Sequence, residues 1–218
     1  MAHRCLLYYI TDRSQFPGDE RARRRALLEK IVEAALAGVD YIQLREKDLS
    51  ARELETLARE VVAAVRENSS LTRVLINHRT DVALGGGADG VHLRAEDVAP
   101  HDMRWALEIF AHRPLATDHF LVATSGHAPA GVFRAESQKA DFAVFAPVFG
   151  KTGIAGAQPA GLAALREACG AKIPVLALGG VTIANAASCL DAGAAGVAGI
   201  RLFQENKIED VVRALRAL

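Results

Sequence analysis

Little in this sequence points to an extracellular or membrane setting. Its 218 residues hold three cysteines, Cys5, Cys169 and Cys189, odd in number and far apart, with no Cys-x-x-Cys pair. That usage excludes a disulfide framework and a thiolate zinc site, and it fits a reduced, cytoplasmic protein. No apolar run approaches the ~18 residues that cross a bilayer, and the N-terminus shows no signal-peptide pattern. An excess of either charge is also missing: 26 Lys and Arg balance 26 Asp and Glu. Nucleic acids and anionic membranes usually select a basic balance, so neither is expected as a partner. No composition shift or linker divides the chain, and residues 1–218 read as one domain. A homo-oligomer stays open, since nothing in the sequence sets subunit number.

What is present is a regular alternation of apolar strands and amphipathic helices. Half of the residues are hydrophobic. Strands are expected at Leu6–Thr11, over the stretch ending at Leu44, and at Val74–Asn77, Gly90–Leu93, Leu121–Ser125, Phe142–Ala146, Val175–Leu178 and Gly196–Ile200. Between them the 3.6-residue spacing predicts helices at Glu20–Ala37, from Ser50 onward, and at Asp81–Leu84, Met103–Phe110, Pro129–Ala140, Leu162–Ala168, Ala184–Ala192 and Ile208–Leu218. Ser50 and Glu53 have capping-box spacing. A glycine-led segment recurs at Gly38-Val39-Asp40, Gly87-Ala88-Asp89 and Gly193-Ala194-Ala195, each a helix stop that leads into a strand. Eight such units in a chain of this length fit an α/β fold, a single-domain (β/α)8 TIM barrel. A doubly wound sheet is second, and its Rossmann form is disfavoured because no GxGxxG follows the first strand.

The stretch Tyr41-Ile42-Gln43-Leu44-Arg45-Glu46-Lys47-Asp48 breaks the apolar pattern. Side chains alternate faces along a strand, which would put Gln43, Arg45 and Lys47 on one face and Ile42 and Leu44 on the other. Buried charges need counter-charges, and an anionic ligand would supply one. An internal salt bridge at a strand end is the competing account.

Barrel sites lie at the C-terminal ends of the strands. Those positions carry Thr11 and Arg13, the Gln43–Lys47 group, Asn77 and His78, Arg94 and Asp97, Ser125 and His127, Lys151 and Thr152, Gly179 and Gly180, and Ile200 and Arg201. Cations, amides and hydroxyls dominate, and Gly179-Gly180 matches the usual phosphate turn of exposed N–H groups. The set suits a small phosphorylated substrate. Plainer readings stand beside it: Asp97 as a helix cap, Asn77 as a turn closer, His127 as a satisfied loop histidine, and Gly179-Gly180 as a tight turn only.

These residues resemble those of the thiamine-phosphate synthases and of their relatives the thiazole tautomerases. The likeness runs from Tyr9-Ile10-Thr11-Asp12-Arg13 through Gln43-Leu44-Arg45-Glu46-Lys47, Ile76-Asn77 and Gly90-Val91-His92-Leu93 to Pro147-Val148-Phe149 and Leu178-Gly179-Gly180-Val181. It implies a transferase that joins an aminopyrimidine methyl diphosphate to a thiazole phosphate, often its carboxylate, and releases diphosphate. It further implies that Arg45, Lys47 and Mg2+ stabilise the departing diphosphate. Gln43, Asn77 and Ser125 would hold the pyrimidine or diphosphate, and Gly180 with Ile200 and Arg201 the thiazole phosphate. Lys151 and Thr152 stand near the family's phosphate-gripping segment, out of register. The family's metal-binding aspartate after the asparagine is His78 here, a poor Mg2+ ligand, which leaves Asp97 of the usual pair. Arg94 and Arg201 are added cations. The alternatives are a tautomerase-like isomerase with His127 as acid–base group, and an inactive barrel that binds a phosphorylated thiamine precursor.

Overall fold

The computed structural model describes residues 4–110, 120–150 and 158–218. Eight parallel strands form a closed barrel in sequence order: β1 (Leu6–Ile10), β2 (Tyr41–Leu44), β3 (Arg73–Asn77), β4 (Gly90–Leu93), β5 (Leu121–Gly126), β6 (Phe142–Phe145), β7 (Val175–Ala177) and β8 (Gly196–Gly199), with β8 pairing back onto β1. Helices follow the strands: α1 (Glu20–Ala37), α2 (Ala51–Asn68), α3 (Thr80–Gly86), α4 (Pro100–Phe110), α5 (Pro129–Ser137), α6 (Gly161–Ala168), α7 (Ala186–Asp191), α8 (Arg201–Gln204) and α9 (Ile208–Arg216). The expected (β/α)8 barrel is therefore the fold.

Strand alternation divides the core into two layers. Ile42, Leu44, Val74, Ile76, Val91 and Leu93 face outward and pack under the helices. Tyr8, Ile10, Leu75, Ala123, Phe142, Val144, Leu176 and Ala198 fill the barrel itself. Helix α2 begins with the capping box anticipated at Ser50 and Glu53, and its buried stripe runs Leu54, Leu57, Ala58, Val61, Val62 and Val65. Helix α1 ends where Gly38 turns left-handed at φ 82°.

The recurring segment has a structural purpose that its glycine alone does not reveal. The aspartate two residues later accepts a strand N–H: Asp40 from Leu7 at 2.7 Å and Asp89 from Val74 at 2.8 Å. A further copy at Lys139-Ala140-Asp141 does the same for Val122 at 2.6 Å. A glycine search misses it because Lys139 takes the left-handed turn, at φ 63°.

Several boundaries differ from expectation. Helix α5 stops at Ser137, short of Ala140, because the Lys139 turn lets the Ala140 N–H bond Ala135. Helix α7 starts at Ala186 and not Ala184, because Asn185 accepts the Thr182 N–H and donates to the Gly180 carbonyl, folding 182–185 into a turn. Helix α8 lies just after β8, in a stretch to which the sequence alone assigns no element.

Close strand packing makes two glycines differ sharply. A Cβ on Gly196 would lie 2.0 Å from the Leu6 carbonyl oxygen, whereas one on Gly38 meets nothing within 4 Å. Gly38→Ala should cost only the left-handed backbone penalty, about 1–2 kcal/mol. Gly196→Ala must displace β1 and should cost roughly 3 kcal/mol or more. Urea unfolding of the two variants checks the contrast.

Candidate active site

The mouth of the barrel is organised by a buried carboxylate. Glu46 follows the end of β2 and turns inward, its side chain 1% exposed. It accepts the Thr11 hydroxyl at 2.5 Å, the Arg13 N–H at 3.0 Å and the Arg13 guanidinium at 3.1 Å. Arg13 is further held by Asp48 at 2.7 and 2.9 Å and by Glu20 at 2.8 Å. The hydrogen bonds that Arg13 donates to Asp48 lead the causes that raise the Arg13 pKa, and the same contact depresses the pKa of Asp48. Thr11 also accepts the Arg45 N–H at 2.9 Å, so the clamp fixes the backbone on which Arg45 sits.

Arg45 behaves differently. It is half-buried, and among the described residues no carboxylate stands within salt-bridge distance of its guanidinium. Burial lowers its pKa; Asp12 and Glu46 oppose this through space, and Arg94 reinforces it. Arg45 and Lys47 line one open cavity of about 1180 Å3 together with Gly179, Gly180, Ile200 and Arg201. The strand-alternation reading of Gln43, Arg45 and Lys47 as one face needs correction. Strand β2 ends at Leu44, so Arg45 and Lys47 belong to the loop, while Gln43 lies below them inside the barrel. Its amide nitrogen donates to the Tyr8 hydroxyl at 3.1 Å, a partner within the protein.

The opposite wall is the turn after β7. Gly179 and Gly180 have φ of 96° and 66°, and a Cβ on either would strike Pro147 or Phe149 within 2.8 Å. Asn185 holds the Gly180 carbonyl at 3.0 Å. Among the described residues the Gly180 N–H bonds no protein acceptor. Ile200 and Arg201, at the start of α8, complete this wall.

The β3–β5 side carries a second, smaller pocket, and Arg94 there acts through space on both Arg45 and His78. Arg94, Asp97 and Ser125 line this pocket with Arg134 of α5 and Gln138 just after it. One Asp97 oxygen accepts the Arg94 N–H at 2.7 Å, closing a turn ahead of α4. His78, at φ 48°, follows half-buried Asn77. Burial depresses its pKa first, then Arg94, against the attraction of Asp97. Among the described residues no three His, Cys, Asp or Glu side chains cluster as a metal site. His127 is exposed, and its Nδ1 lies 2.8 Å from the Ala146 carbonyl. A carbonyl only accepts, so Nδ1 carries the hydrogen and Nε2 of the neutral ring is a bare acceptor. Lys151 and Thr152 lie outside the described residues.

Two interior residues escaped sequence reasoning. Tyr8 contacts His92 Nδ1 at 3.1 Å, and His92 Nε2 contacts Ser125 at 2.9 Å. Their signal was alternation: both occupy inward positions of β1 and β4. Burial, then the Arg45 charge, pushes the His92 pKa down to about 3. Glu46 was also missed, because a carboxylate between two cations reads as surface charge.

The clamp has a measurable consequence. Glu46→Ala leaves the buried Arg13 with one acid fewer and should destabilise the protein by about 3–5 kcal/mol. Glu46→Gln, which still accepts hydrogen bonds, should cost less. Chemical denaturation of both variants tests the order.

Comparison with known proteins agrees with this geometry. A family profile described as thiamine monophosphate synthase matches residues 7–203. A thiamine-phosphate synthase of Methanoculleus marisnigri is 36% identical over 215 residues, covering 96% of this chain and 93% of its own. A relative in Aquifex aeolicus, provisionally named as a second thiamine-phosphate synthase, is 38% identical over 200 residues, 91% of this chain and 97% of its own. Among solved structures, thiamine phosphate pyrophosphorylase from Pyrococcus furiosus superposes with a TM-score of 0.77 at 28% identity, covering 99% of this chain and 95% of that one. On motif, profile and fold together, this chain belongs to the thiamine monophosphate synthase family.

Proposed function

We propose that this protein joins an aminopyrimidine methyl diphosphate to a thiazole phosphate, as a thiamine-phosphate synthase does, within the cytoplasm and with residues 1–218 acting as one domain. The observation that carries the reading is Arg45, a half-buried cation without a carboxylate at bonding distance, facing the same cavity as the Gly179–Gly180 turn. Two anion-binding poles in one cavity suit two phosphorylated substrates.

In this reading the C–O bond between the pyrimidine methylene and the diphosphate breaks, and the methylene is captured by the thiazole nitrogen. The charge that develops on the leaving diphosphate is met by Arg45 and Lys47, cations already in place before reaction. Gln43, Asn77 and Ser125 supply hydrogen bonds to the pyrimidine end. Gly179 and Gly180, with the backbone of Ile200 and Arg201, receive the thiazole phosphate. Mg2+ is commonly held by one or two carboxylates together with substrate phosphates. Asp97, with one oxygen left after its bond to Arg94, fits that use, and its charge acts on His78, whose pKa burial and Arg94 lower. Mg2+ bound there would neutralise diphosphate charge.

Arg45→Ala should lower kcat/KM for coupling by about 100-fold or more, read as diphosphate release with both substrates present. Absence of thiamine phosphate from the wild-type protein with every divalent metal tried would overturn the proposal.

One observation favours a second reading. The bare Nε2 of His127 is exposed and oriented through Nδ1, as a general base requires. An isomerase acting on the thiazole carboxylate phosphate would use it to move a proton. His127→Ala should then slow isomerisation by roughly 10²–10⁴-fold, followed by proton exchange with solvent deuterium. Wild-type exchange in that variant would remove the second reading.

A further inference from the structure

The barrel interior holds a continuous line of hydrogen bonds that the proposed chemistry does not use directly. It runs from Gln43 to Tyr8 at 3.1 Å, from Tyr8 to His92 at 3.1 Å and from His92 to Ser125 at 2.9 Å, crossing β2, β1, β4 and β5. Tyr8 is 0% exposed, Gln43 2% and His92 4%. Tyr41 and Phe142 pack edge-on against the Tyr8 ring at 5.8 and 5.5 Å.

The order of the hydrogens along this line follows from donor counting. Tyr8 accepts the Gln43 amide N–H, and its single hydroxyl hydrogen needs an acceptor. The nitrogen of His92 facing it is Nδ1, so Nδ1 is bare and the hydrogen of the neutral ring is on Nε2. Nε2 therefore donates to Ser125 Oγ. An oxygen that accepts from below turns its own hydrogen away, toward the mouth. The neutral ring this ordering needs is favoured by burial and by the neighbouring Arg45 charge.

We propose that Tyr8 and His92 are positioning residues that hold Ser125 as a hydrogen-bond donor and couple it to Gln43 across the barrel, so that the site selects a substrate with an acceptor atom at Ser125. The proposal rests on the coupling reaction proposed above for the identity of that substrate, an aminopyrimidine diphosphate. A donor group at the same position would have to turn the Ser125 hydrogen aside and share an oxygen already accepting from His92, so it should bind more weakly.

The wild-type protein itself gives the first test. In a 15N-histidine spectrum, His92 should show the neutral Nε2–H tautomer from neutral pH down to about pH 5. An Nδ1–H tautomer or a charged ring there overturns the proposal. The second test is a double-mutant cycle. Tyr8→Phe and His92→Leu, each checked for a cooperative thermal transition, should raise KM for the pyrimidine diphosphate about tenfold with little change in kcat. His92→Gln, which keeps one acceptor and one donor, should recover most of the loss. In a Ser125→Ala background Tyr8→Phe should cost nothing further, because its effect travels through Ser125. Equal loss in both backgrounds, or single variants within twofold of wild type, overturns the proposal. If the wild-type protein shows no coupling, that failure belongs to the proposed function. The same cycle is then read by calorimetric binding of the pyrimidine diphosphate, and equal affinities overturn the relay.

Discussion

The buried carboxylate of Glu46 decides which cations at the barrel mouth remain open to a ligand. A charge taken out of water must be matched by close opposite charge and by hydrogen bonds. Glu46 finds both in Arg13 and Thr11, and by doing so it engages Arg13 fully, with Asp48 and Glu20 completing the set. Arg45, the residue just before Glu46, shares the Thr11 anchor through its backbone but gains no carboxylate of its own. Arg13 and Arg45, tied together through Thr11 and Glu46, thus part in role. One is structural because acids surround it, and the other faces the cavity because they do not.

The same rule governs the barrel interior. A closed ring of strands places half of its side chains where water does not reach, so polar residues there must satisfy one another. Gln43, Tyr8, His92 and Ser125 do so in a single line. The apolar members of the layer, Leu75, Val144 and Leu176 among them, seal the space around that line. No buried side-chain nitrogen or oxygen among the described residues is left without a partner.

Much of this was legible in the sequence because it depends on periodicity and on short-range chemistry. The eight strands, helix α1 from Glu20 to Ala37, and the Ser50 capping box follow from spacing and local hydrogen bonding. Family motifs identified the mouth. What escaped depends on contacts distant in sequence. Glu46 looked like a surface acid until Arg13, 33 residues away, was seen against it. His92 lay inside a recognised motif, but its role needs Tyr8, 84 residues earlier. Alternation was carried too far at Arg45, since a strand period has no meaning beyond Leu44, where the ladder ends.

The interior line and the charged rim also act on each other. Arg45 is the second cause, after burial, of the low pKa of His92, and burial in turn destabilises the charged form of Arg45. A proton on His92 would add a second buried positive charge beneath the first, with no acid on the line to balance it. A neutral lower layer therefore suits the cation above it. An anion above Arg45 stabilises the cation directly and relieves the repulsion that any transient charge on His92 would create. Neutral polar residues beneath Arg45 let this barrel hold one cation in readiness, with Asp12, Glu46 and Asp48 on the same cavity wall but none within salt-bridge distance of its guanidinium.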